Sequence, residues 1–476
     1  MPSLANELGY HHIMAEGHAH ARRDIALLYV SRFLRLFAFG AVAPILVLHL
    51  RKLGFSDQLV GSFLSLTLLG DVLLSLVVTW SADAIGRRRV LAAGALLMAG
   101  SGIAFYLSSS FVALLAAAVL GIVSPAAMRV RSSSFSALPF SQADAHAPTV
   151  GPFSAIEVGM LSQLVSPDAR VYVLMWYQVL GFVGTSVGAL TSGFIISQLE
   201  KAGWHVVAAY RVIFLVYSLA AGIKVIASVV MSTHAELDAP AKPTATPPAE
   251  ETSTDNERQP LLANQGQQAP SVADAILSSP EEPAPLPRLP LGKLIALCFI
   301  FSLDAFASSL IPNSFIAYYF RLSFNAPLSA ITRTFSAGSL IAGFSQLAAG
   351  SIARRLGIIL TMVGTHIPAQ LITIALAFAP SLASGLTLYI ARASIASMDT
   401  SVRGAFLAAI IPAESRTRFL GIINVCKTLA SAPGPTLSGH LASWGGLRWS
   451  FVICGSLKIL YDLGLLAGFL KAKLEH

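Results

Sequence analysis

Charged residues are scarce in this chain of 476 residues: Asp, Glu, Lys and Arg together make up 12%, about half of their usual share in soluble domains. Hydrophobic residues make up 55%. This balance argues against a soluble globular protein and indicates that lipid is the main solvent of the folded chain. The net charge of +8 is not concentrated in a long basic segment, so we predict no nucleic-acid partner.

Cysteine is nearly absent too. Cys298, Cys426 and Cys454 lie inside apolar runs without the spacing of zinc ligands or of a disulfide framework, so we expect three small buried side chains. The chain also lacks a phosphate-cradling glycine loop and a nucleophile–base arrangement, so we predict no enzyme activity, no cofactor and no metal site. Histidines at positions 11, 12, 18 and 20 either sense a metal or belong to a solvated tail.

Long apolar runs are what the chain does contain. A bilayer core of ~30 Å needs ~20 mostly apolar residues per helix. Twelve runs of about that length lie near residues 25–48, 58–80, 90–108, 110–125, 171–196, 208–230, 294–320, 328–352, 358–379, 382–411, 419–441 and 450–470. The first is long enough to span and has no cleavage site, so it is not a signal peptide. We predict an all-α integral membrane protein with six-helix bundles over residues 25–231 and 292–471.

A polar segment separates the two groups of spans. Residues 232–291 are rich in Pro, Ala, Glu, Ser, Thr and Gln, and they cannot bury enough apolar surface to fold. We predict a disordered cytoplasmic linker there, with cytoplasmic tails over residues 1–24 and 472–476. The orientation follows from Lys and Arg near the span ends, fourteen on the side of the termini against seven on the other.

The linker contains a short motif that resembles a sorting signal. Glu257, Leu261 and Leu262 in "ERQPLL" fit the acidic dileucine pattern that sorting adaptors read in cytosolic segments. Either adaptors direct the protein to the vacuole or another endomembrane, or the stretch is plain linker and the plasma membrane is the alternative location.

The two halves look related. Setting Gly86 of "TWSADAIGRRR" on Gly357 of "GSIARRLG" aligns Asp83 with Arg354 at an offset of 271 residues. Further on, "SPDAR" and "IPAESR" align Arg170 with Arg416 at an offset of 246. The offset shrinks by 25 because residues 126–150 look like an insert within the fourth span. This insert is either an intron left in the gene model or a genuine loop that breaks the span.

The whole chain resembles the major facilitator superfamily, in particular a twelve-span fungal branch. Asp83, Gly86, Arg87 and Arg88 match that superfamily's loop signature between spans two and three, although its leading glycine is Thr79 here. "GPFSAIE" (151–157) and "SMDTSVRGAFLAA" (397–409) look like the branch itself. The resemblance implies two pseudo-symmetric six-helix bundles that rock around a central cavity, with the signature loop bracing them on the cytoplasmic side. Arg354 in the equivalent loop has the opposite charge to Asp83, so we hypothesise that the two pair when the cavity opens outward.

Ionisable residues inside the spans are costly in lipid, so each is a functional candidate by default. They are Asp71, Asp304, Arg32, Arg35, Glu157, Asp399, Arg403 and Lys427, with Arg392 and Asp462 nearby. Two roles compete for them. Asp71 or Asp304 carries a coupling proton while the cations bind an anionic substrate or a carboxylate partner. Alternatively, the residues form buried ion pairs, for example between Asp71 and Arg32 or Arg35, that hold helices in register.

Small residues mark close helix contacts. Gly181, Gly184 and Gly188 in the fifth span are spaced three and four apart, and Gly434 with Pro435 interrupts the eleventh. Similar antiporters carry Gly-x-x-x-Gly-Pro-x-x-Gly-Gly in the fifth span. Only Gly184 and Gly188 match that pattern here, so export is weakly supported.

These features together predict a secondary transporter of a small organic solute, probably an exporter or a vacuolar sequestration system driven by protons. Its partners are the solute, protons, the lipid bilayer and, through the linker, sorting adaptors. The alternative is a non-transporting receptor or sensor on the same scaffold.

Overall fold

The computed structural model describes residues 19–121, 151–165, 167–232, 291–398, 402–403, 406–407, 410–411 and 416–469. The first half contains α1 (Ala19–Val42), α2 (Leu46–Lys52), α3 (Asp57–Ile85), α4 (Arg87–Leu107), α5 (Phe111–Gly121), α6 (Gly151–Leu164), α7 (Pro167–Lys201) and α8 (Val206–Val230). The second half contains α9 (Leu291–Leu310), α10 (Asn313–Phe324), α11 (Leu328–Leu356), α12 (Ile358–Leu376), α13 (Leu382–Ala396), α14 (Arg416–Ser431), α15 (Pro433–Ser443) and α16 (Arg448–Phe469).

Several predicted features lie outside these residues. They are the histidines of the first eighteen residues, the insert 126–150, the linker with Glu257, Leu261 and Leu262, the residue Asp399, and the last tail. The side chains of Asp83 and Arg354 are also outside the described part, although their backbones belong to α3 and α11.

By length and composition, eight of the described helices could cross a membrane: α1, α3, α4, α7, α8, α9, α12 and α16. The remaining four of the twelve spans are α5 with α6, α11, α13 with the helical residues up to Ile410, and α14 with α15. These four are split or rich in polar residues. The fold is all-helical over the described residues, with two pseudo-symmetric halves of six spans each.

Three turn positions repeat between the halves. Positive φ angles occur at Gly54 and Asn325 and at Gly86 and Gly357, and both pairs are 271 residues apart (325 − 54 and 357 − 86). Gly203 and Gly445 form a third pair, after the fifth and eleventh spans. Gly86 and Gly357 each reverse the chain between two long helices, where a side chain would strain the backbone. The repeat predicted from the sequence is therefore also a repeat of backbone geometry.

Two helix boundaries differ from the predicted spans. The first helix begins at Ala19 rather than near Ile25, so part of the predicted tail is helical. The tenth span was predicted to run unbroken to residue 411, but α13 ends at Ala396. The Ser397 hydroxyl donates a hydrogen bond to the carbonyl of Ala342 on α11, 2.9 Å away, which ties this helix end to its neighbour.

The eleventh span is also divided, at Ala432, because Pro433 and Pro435 lack the N–H groups that would continue α14. Pro433 begins α15, where a missing N–H costs nothing. Gly434 faces α9: a Cβ atom added to it would lie 1.9 Å from the hydroxyl oxygen of Ser309.

Glycines set the spacing between α1 and α7. A Cβ atom added to Gly188 would lie 2.0 Å from the carbonyl oxygen of Phe37, and one added to Gly184 would lie 2.7 Å from that of Phe33. Gly181, one turn further along α7, instead lies against the guanidinium group of Arg32. Close backbone contact at this interface thus depends on absent side chains.

The two halves meet along α3 with α15 and along α7 with α11. We call the side with the turns after α2 and α10 the turn face, and the side with the start of α1 and the end of α16 the terminal face. Near the turn face, the backbone N–H and the hydroxyl of Thr436 donate hydrogen bonds to the hydroxyl oxygen of Ser65, at 3.0 and 2.7 Å. These contacts hold the halves together on that side.

Candidate functional site

The centre of the first half is a buried carboxylate, Glu157 on α6. One of its oxygens, Oε2, accepts hydrogen bonds from Arg35 and Tyr177, both at 2.6 Å. The other, Oε1, accepts one from Ser31 at 2.9 Å and lies 3.8 Å from the Nζ atom of Lys224. We call Ser31, Arg32, Arg35, Ser154, Glu157, Tyr177, Gln178 and Lys224 the Glu157 cluster.

Four helices supply this cluster. Arg32 and Arg35 lie three residues apart and so share one face of α1. Arg32 donates to Gln178 on α7 at 3.0 Å and to Ser154 on α6 at 3.3 Å. Its guanidinium carbon lies 4.6 Å from the centre of the Tyr177 ring, a distance typical of a cation–π contact.

Arg35 is only partly satisfied within the described residues. Its side chain donates through Nη2 to Glu157 and, at 3.1 Å, to Tyr177. Its Nε and Nη1 atoms are buried and have no hydrogen-bond partner in the described part of the chain. A guanidinium group carries five N–H donors, so three of them are available here.

The second half holds a corresponding centre at Asp304 on α9, which is fully buried. Its Oδ2 lies 2.6 Å from Nη1 of Arg403, and its Oδ1 lies 2.6 Å from Nζ of Lys458 on α16. The guanidinium of Arg403 also lies over the Tyr461 ring, 5.3 Å from its centre. The Nζ atom of Lys427 on α14 lies 5.6 Å from the centre of the Phe301 ring.

The two centres are related by the repeat, with opposite polarity. The offset that aligns Arg170 with Arg416 also aligns Glu157 with Arg403 (157 + 246 = 403). In the first half the first span supplies the cation and the fourth span the carboxylate. In the second half the first span supplies the carboxylate, Asp304, and the fourth span the cation. In both halves, a lysine of the sixth span lies near the carboxylate.

Asp71 on α3 differs from both carboxylates. It is 2% exposed, and its Oδ1 atom has no hydrogen-bond partner among the described residues. The ion pair considered for Asp71 with Arg32 or Arg35 does not occur among the described contacts, because Arg35 pairs with Glu157.

The loop-signature residues take separate positions within the first half. Gly86 separates α3 from α4, and Arg87 is buried with its Nη1 atom donating to Gln163 at 3.1 Å. Arg88 donates to the carbonyl oxygen of Val229 at the end of α8. Pairing between Asp83 and Arg354 stays a hypothesis, since both side chains lie outside the described part.

The sequence reasoning missed several members of these centres. Lys224 and Lys458 each stand in an apolar run, so a complete listing of charges inside the spans finds them. His366 and Asp462 form a buried pair 2.8 Å apart between α12 and α16, and the sequence gave no spacing that joins them. Among the described residues, no group of three or more His, Cys, Asp or Glu side chains could hold a metal ion.

Comparison with known proteins places this architecture. The family model of the Major Facilitator Superfamily matches residues 28–141 and 148–398. An uncharacterized membrane protein of Saccharomyces cerevisiae is 31% identical over 454 residues, which cover 94% of this chain and 95% of the relative. A D-xylose–proton symporter is similar in structure at 12% identity, with a TM-score of 0.66 over 95% of this chain and 98% of that one. A bacterial homologue of the human lysosomal transporter Spinster, inward-facing and occupied, gives a TM-score of 0.65 at 13% identity over 96% and 98%.

Proposed function

Since the chain belongs to the major facilitator superfamily, we propose that it is a secondary transporter that moves a small organic solute across a membrane by alternating access, coupled to protons. Export or sequestration into a vacuole is the proposed direction. The alternative is a receptor or sensor that binds the same solute on the same scaffold without moving it.

The contacts between the halves support alternating access. They use small side chains and backbone, as at Ser65 with Thr436, and at Ser186 on α7 with Ser336 on α11, whose hydroxyl oxygens are 2.6 Å apart. Few interlocking large side chains need to separate for such an interface to open. We therefore propose that the turn face opens when the terminal face closes.

One observation carries the proposal of proton coupling: Asp71 is buried without a cation partner among the described residues. Glu157 and Asp304 have cations beside them that hold the carboxylate charge. A carboxyl group without such a partner gains or loses a proton at lower cost when the cavity around it changes. Asp71 is therefore the proposed proton site, in preference to Asp304.

Flux in proteoliposomes with an imposed pH gradient tests these statements. We expect the wild-type protein to accumulate its solute against a gradient. Asp71→Asn should lose this accumulation and keep solute exchange at equal concentrations, because exchange needs no net proton movement. Asp57→Asn, at the start of the same helix and beside Arg51, is the matched control and should keep accumulation.

The outcomes separate the hypotheses. Full coupling in Asp71→Asn, in Asp304→Asn and in the double variant would reject a proton site at either residue. Measurable solute binding without flux under any gradient would favour the sensor.

The proposed orientation places both termini and the linker in the cytoplasm, with the turn face outside the cytosol. The sorting residues would then be available to adaptors. Replacing Leu261 and Leu262 with alanine in a fluorescent fusion should move the protein from an endomembrane to the plasma membrane. An unchanged distribution would show that the motif is not read.

A further inference from the structure

We propose that the Glu157 cluster binds an oxyanion, the carboxylate or phosphate group of a small organic solute. This inference rests on the proposed transport function and adds to it the charge class of the substrate. It is carried by two features of the cluster, the balance of its charges and the unused donors of Arg35.

The charges of the cluster do not balance. Among the described residues, Arg32, Arg35 and Lys224 supply three cations and Glu157 supplies one carboxylate, which leaves a surplus of two positive charges (3 − 1 = 2). All four side chains are buried. Burying a charge is costly unless an opposite charge accompanies it. A second anion at this place therefore lowers the cost of burying the cations.

Arg35 provides a donor set suited to such an anion. The residue is 8% exposed, and Glu157 and Tyr177 occupy only its Nη2 atom. The three N–H groups on Nε and Nη1 have no partner among the described residues. A planar guanidinium group with free N–H donors matches the oxygen atoms of carboxylate and phosphate groups.

Lys224 is a second source of positive charge for the ligand. Its Nζ atom lies 3.8 Å from Oε1 of Glu157, which is longer than the roughly 2.7–3.2 Å of an N–H···O hydrogen bond. Glu157 therefore holds Lys224 by charge rather than by a short hydrogen bond. A neutral polyol could accept hydrogen bonds from Arg35 but would leave the surplus charge uncompensated, so the cluster favours an acid over a sugar.

Matched pairs of solutes test the inference on the purified full-length protein. The probes are lactate with lactamide, succinate with succinamide, and glycerol 3-phosphate with glycerol, at constant ionic strength. We expect at least one acid to raise the temperature of thermal unfolding in a dose-dependent manner while its neutral partner does not. The carboxylate and phosphate pairs distinguish the two kinds of oxyanion.

Two variants connect that binding to the cluster. Arg35→Gln should weaken binding of the acid at least tenfold. Arg392→Gln is the matched control, because Arg392 lies in the second half and donates to Thr373 on α12, and it should bind the acid as the wild type does.

Glu157→Gln gives a readout with the opposite sign. It removes the internal carboxylate that competes for Arg35 and Lys224, so the affinity for the acid should rise several-fold although the protein without ligand becomes less stable. A cluster that only holds helices together would lose stability without gaining affinity. This variant also keeps the inference testable if Arg35→Gln does not fold.

The inference fails if no acid stabilises the protein more than its neutral partner, or if Arg35→Gln and Glu157→Gln both bind the acid like the wild type. Flux of a neutral solute without acid binding would remove the inference and leave the transporter in place. Acid binding that depends on Arg35, without flux of any solute, would keep the oxyanion site and reject transport.

Discussion

Gly61 on α3 and Gly439 on α15 touch across the two halves of the molecule: a Cβ atom added to Gly61 would lie 3.0 Å from the Cα atom of Gly439 and 2.5 Å from the carbonyl oxygen of Pro435. Each partner is backbone, which cannot move aside as a flexible side chain can. The contact closes the turn face only because both positions lack side chains.

Gly61→Val should therefore prevent closure of the turn face. We expect a cysteine placed at Ser65 to react faster with a membrane-impermeant thiol reagent in this background, and solute flux to fall at least tenfold, because one state of the cycle is blocked. Gly100→Val is the control, since nothing lies within 4 Å of a Cβ atom there. Equal labelling rates in the two variants would contradict the proposed closure.

Gly188→Ala should destabilise the first half. The added methyl group would overlap the carbonyl oxygen of Phe37, and overpacking of this kind costs about 1–3 kcal/mol. Gly222→Ala, on α8, has open space around the new Cβ atom and serves as the comparison. Thermal unfolding in detergent should rank the alanine at 188 clearly below the alanine at 222. Equal stability would mean that α1 and α7 can separate without cost.

Asp304→Ala should destabilise the second half more than a typical substitution. Arg403 and Lys458 share this carboxylate, and removing one partner of a buried ion pair costs about 3–5 kcal/mol. Asp57→Ala at the more exposed end of α3 should cost much less, near the about 0–1 kcal/mol of a surface pair. The free energy of unfolding in mixed micelles measures both, and similar losses would contradict the importance assigned to burial.

Exchanging the charges of the two signature loops tests the hypothesis that Asp83 pairs with Arg354. Asp83→Arg and Arg354→Asp alone should each reduce flux, because each places like charges opposite one another. The double variant should recover flux if the two side chains attract directly. Failure of the double variant to rescue either single change would show that each residue acts through other partners.

Much of this architecture follows from the sequence because hydrophobic length and repeated turns are local signals. Gly86 and Gly357 align by eye, and both reverse the chain as expected. The end of α13 at Ala396 could not be predicted in this way, because it depends on the contact of Ser397 with α11. Glu157 was a candidate of uncertain depth, since its burial and its partners come from three other helices that are distant in the sequence.

The turns that end α2 and α10 carry a further consequence. Gly54 has a φ of 94° and Asn325, its counterpart 271 residues later, has a φ of 47°. Asparagine is among the few residues other than glycine that tolerate a left-handed backbone. If the halves descend from one ancestral segment, the shape of this turn has outlasted the residue that first made it easy. Dihedral angles at the reversals then preserve the duplication even where the amino acids no longer agree.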